Sequence, residues 1–330
     1  MTPTKSLVTG GTGFIGSHLV EALLEQGEEV RCLVRKTSSR EWIRGLNVEI
    51  FQGDCADFFS VASAVEGVDR IYHVAGVTKT TENGVFYRIN ALGTENLIRA
   101  CVERNPDLQR FIYLSSQAAV GPCEGNGLSV ETDPCWPITH YGRSKRQAEE
   151  AVLKARDQLS VIILRPCTVY GPRDRDLLTL FRSIGRGVQI GLWGMEHRLS
   201  LCYVSDLVSA MVLAGTKDLS SGEIFFVSDG NVYDWRDFGR TIAEVMGVRT
   251  VHLSLPISIL RWSANLVDWI SKRSERPRVY GKERFQEMIQ PNWCCDATKA
   301  MSELDFSPAF DLKGGITATV AWYRAQGWLN

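Results

Sequence analysis

Apolar positions in the first half of the chain fall into six short runs: Lys5 to Thr9, Glu29 to Val34, Val48 to Gln52, Asp69 to Ala75, Arg110 to Leu114 and Val161 to Leu164. Several are apolar almost throughout, the pattern of strands covered on both faces. Between the runs, apolar residues recur at helical spacing, as at Ile15, Leu19, Ala22 and Leu23 and again from Phe86 to Arg104. This alternation predicts an α/β fold with a doubly wound parallel sheet. Past about Pro166 the rhythm loosens, with Gly185, Gly187, Gly191 and Gly194 interrupting short elements. A division follows into a first domain over 1–165 and a smaller C-terminal α/β domain over 166–330, with roughly 199–230 returning to the sheet.

The stretch "LSLPISILRWSANLVDWI" is the most hydrophobic, yet Pro256, Arg261 and Asp268 interrupt it. It falls short of the roughly 20 apolar residues of a bilayer span and predicts an amphipathic helix over the core. The basic run after it, Lys272, Arg273, Arg276, Arg278, Lys282 and Arg284, reads as a solvated face, with an anionic substrate or a membrane surface as the alternatives.

Composition adds exclusions. The 330 residues are 44% apolar and 23% charged with a formal net charge of -1, which argues against disorder and against a nucleic-acid partner. The nine cysteines include no C-x-x-C, and no histidine cluster occurs, so no metal site is expected. Scattered, reduced thiols and the lack of a recognisable leader before the first strand suggest a cytoplasmic protein.

The segment "LVTGGTGFIGSHL" places Gly10, Gly13 and Gly16 between the first strand and the first helix. A tight turn and close approach to a pyrophosphate require residues without Cβ, and the helix N-terminus offers unpaired N–H groups to the phosphates. The spacing, G-x-x-G-x-x-G, is one residue longer in its first gap than the common dinucleotide fingerprint. After the second strand stands Arg35, with Lys36 and Arg40 behind it, where a carboxylate would hold an unmodified ribose. A guanidinium suits a 2′-phosphate, so NADP is expected in preference to NAD. Asp54 closes the third strand within reach of an adenine, and His73 reads as a packed strand residue.

"TGGTGFIG", "HVAG", "SSQAAVG", "YGRSK", "LRPCTVYGP" and "LCYVSDL", together with the closing "DATKAMSELDFSPAFDLKGGITATVAWYRAQGWL", follow one another in a familiar order. In this the whole chain resembles the extended short-chain dehydrogenases/reductases, also called the NAD-dependent epimerase/dehydratase family. The resemblance implies a Rossmann-type cofactor domain contacted through Gly10, Thr12, Gly13, Phe14, Ile15, Gly16, Arg35, Asp54, Cys55, Ala75, Gly76, Tyr141, Lys145, Pro166 and Thr168. It also implies a catalytic triad of Ser116, Tyr141 and Lys145, and a homodimer paired through the Tyr141 helix and the helix before it.

The physics of that triad can be argued directly. Tyr141 and Lys145, four apart on a helix, share a face. An ammonium beside a phenol favours its ionisation, bringing an acid of pKa roughly 10 towards neutrality. Lys145 can also fix the nicotinamide ribose, and Ser116 can donate to the reacting oxygen. Because neighbouring strand residues face opposite ways, only one of Ser115 and Ser116 should face the cleft, and counting from the following glycine selects Ser116. Asn90 matches a family asparagine but stays outside the triad.

Departures from the family narrow the expectation. Gln117 and Ala118 stand where the sugar-nucleotide dehydratases carry an Asp-Glu pair, and Thr168 stands where many epimerases have Asn. Arg198 is one place out of register with the family's phosphate-binding arginine. The Arg165-Pro166 pair looks more like the dihydroflavonol-reductase and 3β-hydroxysteroid-dehydrogenase branches. Trp136, Trp193 and Tyr203 are candidate substrate walls, although core or interface packing is the preferred reading of each. The expected activity is hydride exchange between a nicotinamide and a secondary alcohol or ketone of a small-molecule substrate. The alternatives are a nucleotide-sugar epimerase with retained NAD and a non-catalytic cofactor sensor.

Overall fold

The computed structural model of the chain describes residues 3–193, 196–259, 261–263 and 282–329. Seven strands form its main sheet: β1 (Lys5–Thr9), β2 (Glu29–Val34), β3 (Val48–Gln52), β4 (Arg70–His73), β5 (Arg110–Leu114), β6 (Val161–Pro166) and a late strand, Glu223–Val227. Across the sheet they run Glu223–Val227, β6, β5, β4, β1, β2, β3, with every pair parallel. The order reverses direction between β1 and β4, which opens a crevice at their C-terminal ends.

Two apolar layers explain why the strands read as continuous apolar runs. Val8, Ile112, Leu114, Ile162 and Leu164 face one layer, closed by helix α1 (Phe14–Glu25) and helix Val204–Thr216. Their neighbours Leu7, Phe111, Tyr113, Val161 and Ile163 face the other, closed by helices Phe58–Ala64, Gly93–Arg104 and His140–Lys154. Alternate side chains are buried on opposite faces, so no polar phase appears in the sequence. A third apolar cluster, around Phe181, Phe238, Ile242 and Tyr323, organises the C-terminal part. There the sheets are two- and three-stranded pieces, such as Val188–Leu192 with Val251–Leu255.

The amphipathic-helix expectation meets helical residues at 257–259 and 261–263. Its remainder, and the side chains of the basic run from Lys272 to Arg284, lie outside the described residues. No helix among the described residues is long and apolar enough to cross a membrane. All nine cysteines are free thiols.

One buried ion pair ties helix His140–Lys154 to β6. Arg165 Nε and Nη2 donate to the two Glu149 carboxylate oxygens at 2.9 and 2.8 Å, and both side chains are almost wholly inaccessible. Ser115 Oγ donates to the same carboxylate at 2.6 Å. Removing one partner strands a desolvated charge, while removing both does not. Glu149→Leu is therefore expected to lower unfolding stability by about 3–5 kcal/mol, and Glu149→Leu/Arg165→Met to recover most of that loss. Urea denaturation of the two variants measures the difference.

Candidate active site

The crevice at the sheet's C-terminal edge widens into a cleft of about 1630 Å³. That exceeds the roughly 300–1,000 Å³ typical of a small-molecule pocket and leaves room for a dinucleotide beside a substrate. The cofactor contacts that the resemblance implies, from Gly10 to Thr168, line it together with Ser116, whereas Lys36, Arg40 and Asn90 do not.

The glycine loop owes its shape to backbone contact. Gly10 adopts φ +74°, and a Cβ there would come 2.7 Å from the Ala75 nitrogen; one on Gly16 would come 2.2 Å from the Gly10 oxygen. Helix α1 can therefore start against the end of β1 only with glycine at these two places. Gly13 caps it without a side-chain acceptor, and no acid stands in its first turn. A cradle of bare backbone ending in uncapped N–H groups fits a pyrophosphate. Arg35 is exposed on the wall beyond, in a turn closed by Ser38 N donating to Arg35 O at 3.0 Å. Asp54 Oδ1 accepts from Ala56 N at 3.0 Å, and burial pushes the neighbouring Cys55 thiol up to about 12.

The Tyr141 helix is positioned by two residues that sequence reasoning passed over. Thr139 caps it, its Oγ1 accepting from Gly142 N at 3.1 Å. A Cβ on Gly142 would come 2.3 Å from the Ala118 oxygen, so this glycine lets the helix close on the turn that follows Ser116. Ser116 Oγ caps that turn by accepting from Ala118 N at 3.1 Å, which leaves its hydrogen to donate into the cleft. Ser115, with its hydroxyl on Glu149, is buried. Lys145 is buried too, and its Nζ donates to the Leu114 carbonyl at 2.6 Å and lies 4.4 Å from the Tyr113 ring centroid. Burial pulls its ammonium down to about 7, against an opposing pull from Glu149. The Tyr141 ring leans on Phe86, 6.1 Å between centroids.

Asn90 lies in a π-helical turn, Tyr87–Leu92, beside this helix. Its Oδ1 accepts from Val77 N at 2.7 Å and its Nδ2 donates to Ser144 Oγ at 2.9 Å, which ties the loop after β4 to the Tyr141 helix. His73 is fully buried between Thr9 and Thr94, and burial lowers it to about 3, so it stays neutral. Gln117 donates to the Cys294 carbonyl at 3.0 Å, and Arg198 Nη1 donates to the Asn126 carbonyl at 2.9 Å. Among the described residues, no cluster of three or more metal-ligating side chains occurs.

Of the three candidate aromatics, none forms the wall: Tyr203 packs in the core, the reading preferred for it, while Trp136 and Trp193 are neither packed nor in the cleft. Tyr203 is 6% exposed and packs on Phe310 at 4.3 Å, because its strand, Leu201–Tyr203, pairs with Thr168–Tyr170 and turns it into the third core. Trp136 and Trp193 are 76% and 74% exposed and do not line the cleft. Trp136 belongs to a segment held by its backbone, its nitrogen donating to Val120 O at 2.6 Å, which leaves the ring outside. The wall is instead built by Phe86, Leu192, Leu199, Trp235 and Trp293. Both indole N–H groups there are satisfied, by Ile190 O at 3.0 Å and Glu287 O at 2.9 Å. No local period in the sequence marks these residues; they converge from four separate segments.

Residues 6–228 match the family model described as the NAD dependent epimerase/dehydratase family. The chain is 32% identical to the ceramide reductase of Caulobacter vibrioides, over 98% of this chain and 95% of that one. It is 27% identical to the 3 beta-hydroxysteroid dehydrogenase/Delta 5→4-isomerase of Mycobacterium tuberculosis, over 97% and 90%. The crystal structure of UDP-glucose 4-epimerase from Thermotoga maritima shares the fold, with a TM-score of 0.79 at 22% identity over 98% and 99% of the two chains. The match over residues 6–228 and the near full-length kinship place this chain in the NAD-dependent epimerase/dehydratase family, as an enzyme of the extended short-chain dehydrogenase/reductase type.

Proposed function

We propose that this enzyme uses NADP to reduce the ketone of an apolar substrate, or to oxidise the matching secondary alcohol. One observation carries the reading: Gly142 lets the helix bearing Tyr141 and Lys145 close on the Ser116 turn, so all three side chains line one cleft with the glycine loop. When bound, the dinucleotide supplies the hydride. Tyr141 Oη gives its proton to the carbonyl oxygen as the carbon is reduced, and Lys145, an ammonium below about pH 7, favours the resulting phenolate. Ser116 donates its remaining hydrogen to the same oxygen. Arg35 receives the 2′-phosphate of NADP.

An apolar substrate is supported by the ring and aliphatic wall around Trp235, Trp293 and Leu192, and by relatives named for a ceramide and a hydroxysteroid. The commitment of Arg198 to the Asn126 carbonyl weighs against a nucleotide-sugar diphosphate. Pairing of two copies through Gly93–Arg104 and His140–Lys154, which already pack together within one chain, is the expected assembly.

Titration with NADPH and NADH, followed by a panel of long-chain and ring ketones, tests this reading. Tighter NADPH binding and turnover that falls about 10²–10⁴-fold in Tyr141→Phe are expected. Conversion of a UDP-sugar with no net change in cofactor absorbance would instead assign an epimerase.

Lys145 generates a separate expectation. Its folded pKa of about 7 lies below the ordinary 10.5, so between those values the unfolded chain holds a proton that the folded chain lacks. Stability contributed at this site therefore rises with pH through that window, and the full cost of the buried charge is felt below it. The stability of Lys145→Met relative to the wild type is expected to fall by about 4 kcal/mol from pH 6 to pH 10. Urea denaturation across pH measures it, and an equal gap at both ends would contradict it.

A further inference from the structure

Exposed large apolar side chains concentrate on one part of this molecule. Ile190, Trp193, Val251, Leu253, Ile257, Ile259 and Trp262 all lie on the two-stranded piece Val188–Leu192 with Val251–Leu255, or on the chain just beyond it. The strands pair in parallel, Val188 opposite Val251 and Ile190 opposite Leu253. Residues two apart share a strand face, so these four side chains form one apolar face. Gln189 points the other way, buried, and donates to the Trp235 carbonyl at 2.7 Å. Past the strands in the chain stand Trp193 at 74% and Trp262 at 67% exposure. Soluble surfaces carry such residues singly, and a contiguous patch marks an interaction site.

Along the two segments themselves the charged side chains are of one sign, with Asp234 and Arg236 of a neighbouring element near His252. Arg186 and Arg249 are exposed just before the two strands, and Arg261 is exposed beside Trp262. No Asp or Glu occurs between Asp176 and Glu196, or between Glu244 and Asp268. The patch is also continuous with the active-site cleft, since Ile190 and Leu192 belong to the cleft wall.

We propose that this face docks on an anionic phospholipid bilayer. Trp193, Leu253, Ile259 and Trp262 enter the headgroup boundary, where indole rings with one polar edge are favoured, while Arg186, Arg249 and Arg261 meet lipid phosphates. The attachment is peripheral and weakens with salt. It brings the rim of the cleft to the lipid, so that an apolar ketone passes from membrane to active site without crossing water. The inference goes beyond the proposed reaction, and its test uses neither cofactor nor substrate, so the two can fail separately.

Co-sedimentation of the full chain with vesicles decides it. The wild type is expected to bind phosphatidylglycerol-rich vesicles at least about tenfold more tightly than pure phosphatidylcholine vesicles, and to be released by high salt. Trp193→Ser/Leu253→Ser/Trp262→Ser should lose at least about tenfold in vesicle binding with an unchanged unfolding midpoint. Arg249→Glu/Arg261→Glu, which leaves the apolar face intact, should lose the preference for anionic lipid. Failure of the wild type to pellet with anionic vesicles at low salt would overturn the proposal, as would variants that pellet as well as the wild type. A vesicle-free dimer abolished by the triple substitution would also overturn it, by assigning the face to a second copy of the chain.

Discussion

The constraint on which the site depends is the close approach of helix His140–Lys154 to the end of β5. Gly142 sets the distance, because any side chain there would enter the Ala118 carbonyl. Glu149 sets the rotation, because its carboxylate is held by Ser115 and by both donors of Arg165. Tyr141, Lys145 and Glu149 follow at four-residue intervals along one face of the helix. Burial grades along that face, from a carboxylate with no solvent contact, through a buried ammonium, to a phenol at the cleft wall. The buried carboxylate offsets part of the cost of burying Lys145, and so keeps an ammonium accessible near neutral pH where burial alone would drive the proton off.

Much of this frame is legible in the chain as written. The strands of a sheet covered on both faces are apolar at nearly every position, and the six runs read from sequence agree with the observed strands to within two residues at either end. The late strand Glu223–Val227 is harder to place from pattern alone, since its parallel partner β6 lies far back in the chain. Local spacing also marked the glycine loop, where Gly13 and Gly16 close on Gly10 within the loop itself. It does not reach the aromatic wall. Trp136, Trp193 and Tyr203 sit near the motifs in sequence, but the direction of a side chain in irregular structure follows backbone contacts made at long range, such as those of Trp136 with Val120 and of Trp193 with Leu255. Gly142 and Glu149 act through tertiary neighbours that nothing in their immediate context announces, whereas Thr139 caps the helix through a residue three places on, a local signal.

The two halves of the cleft are built differently, and this separates what is fixed from what can vary. The side assigned to the cofactor under the proposed reading rests on the seven-stranded sheet, where both apolar layers and the glycine contacts leave little room for substitution. The opposite side, where the proposed reading seats the substrate, is assembled from two- and three-stranded pieces and from connections around the third core. A wall made of such pieces changes with single residues while the sheet stays intact, which is how one frame serves many substrates.

Within that frame, the residues committed elsewhere restrict the chemistry as much as those that face the cleft. Gln117 occupies a position at which elimination of water from a sugar would need a carboxylic acid, and its amide is held on the Cys294 carbonyl, unable to act as acid or base. Ala118 beside it has no titratable group. Arg198 lines the cleft, but its guanidinium serves the Asn126 carbonyl, so a diphosphate arriving there would compete with an existing bond. His73, the imidazole nearest the end of β4, is bonded at both nitrogens and held neutral. Under the proposed roles, what remains at the end of β5 is two hydroxyls and one ammonium around a hydride donor. That set is sufficient to exchange one proton and one hydride with a carbonyl.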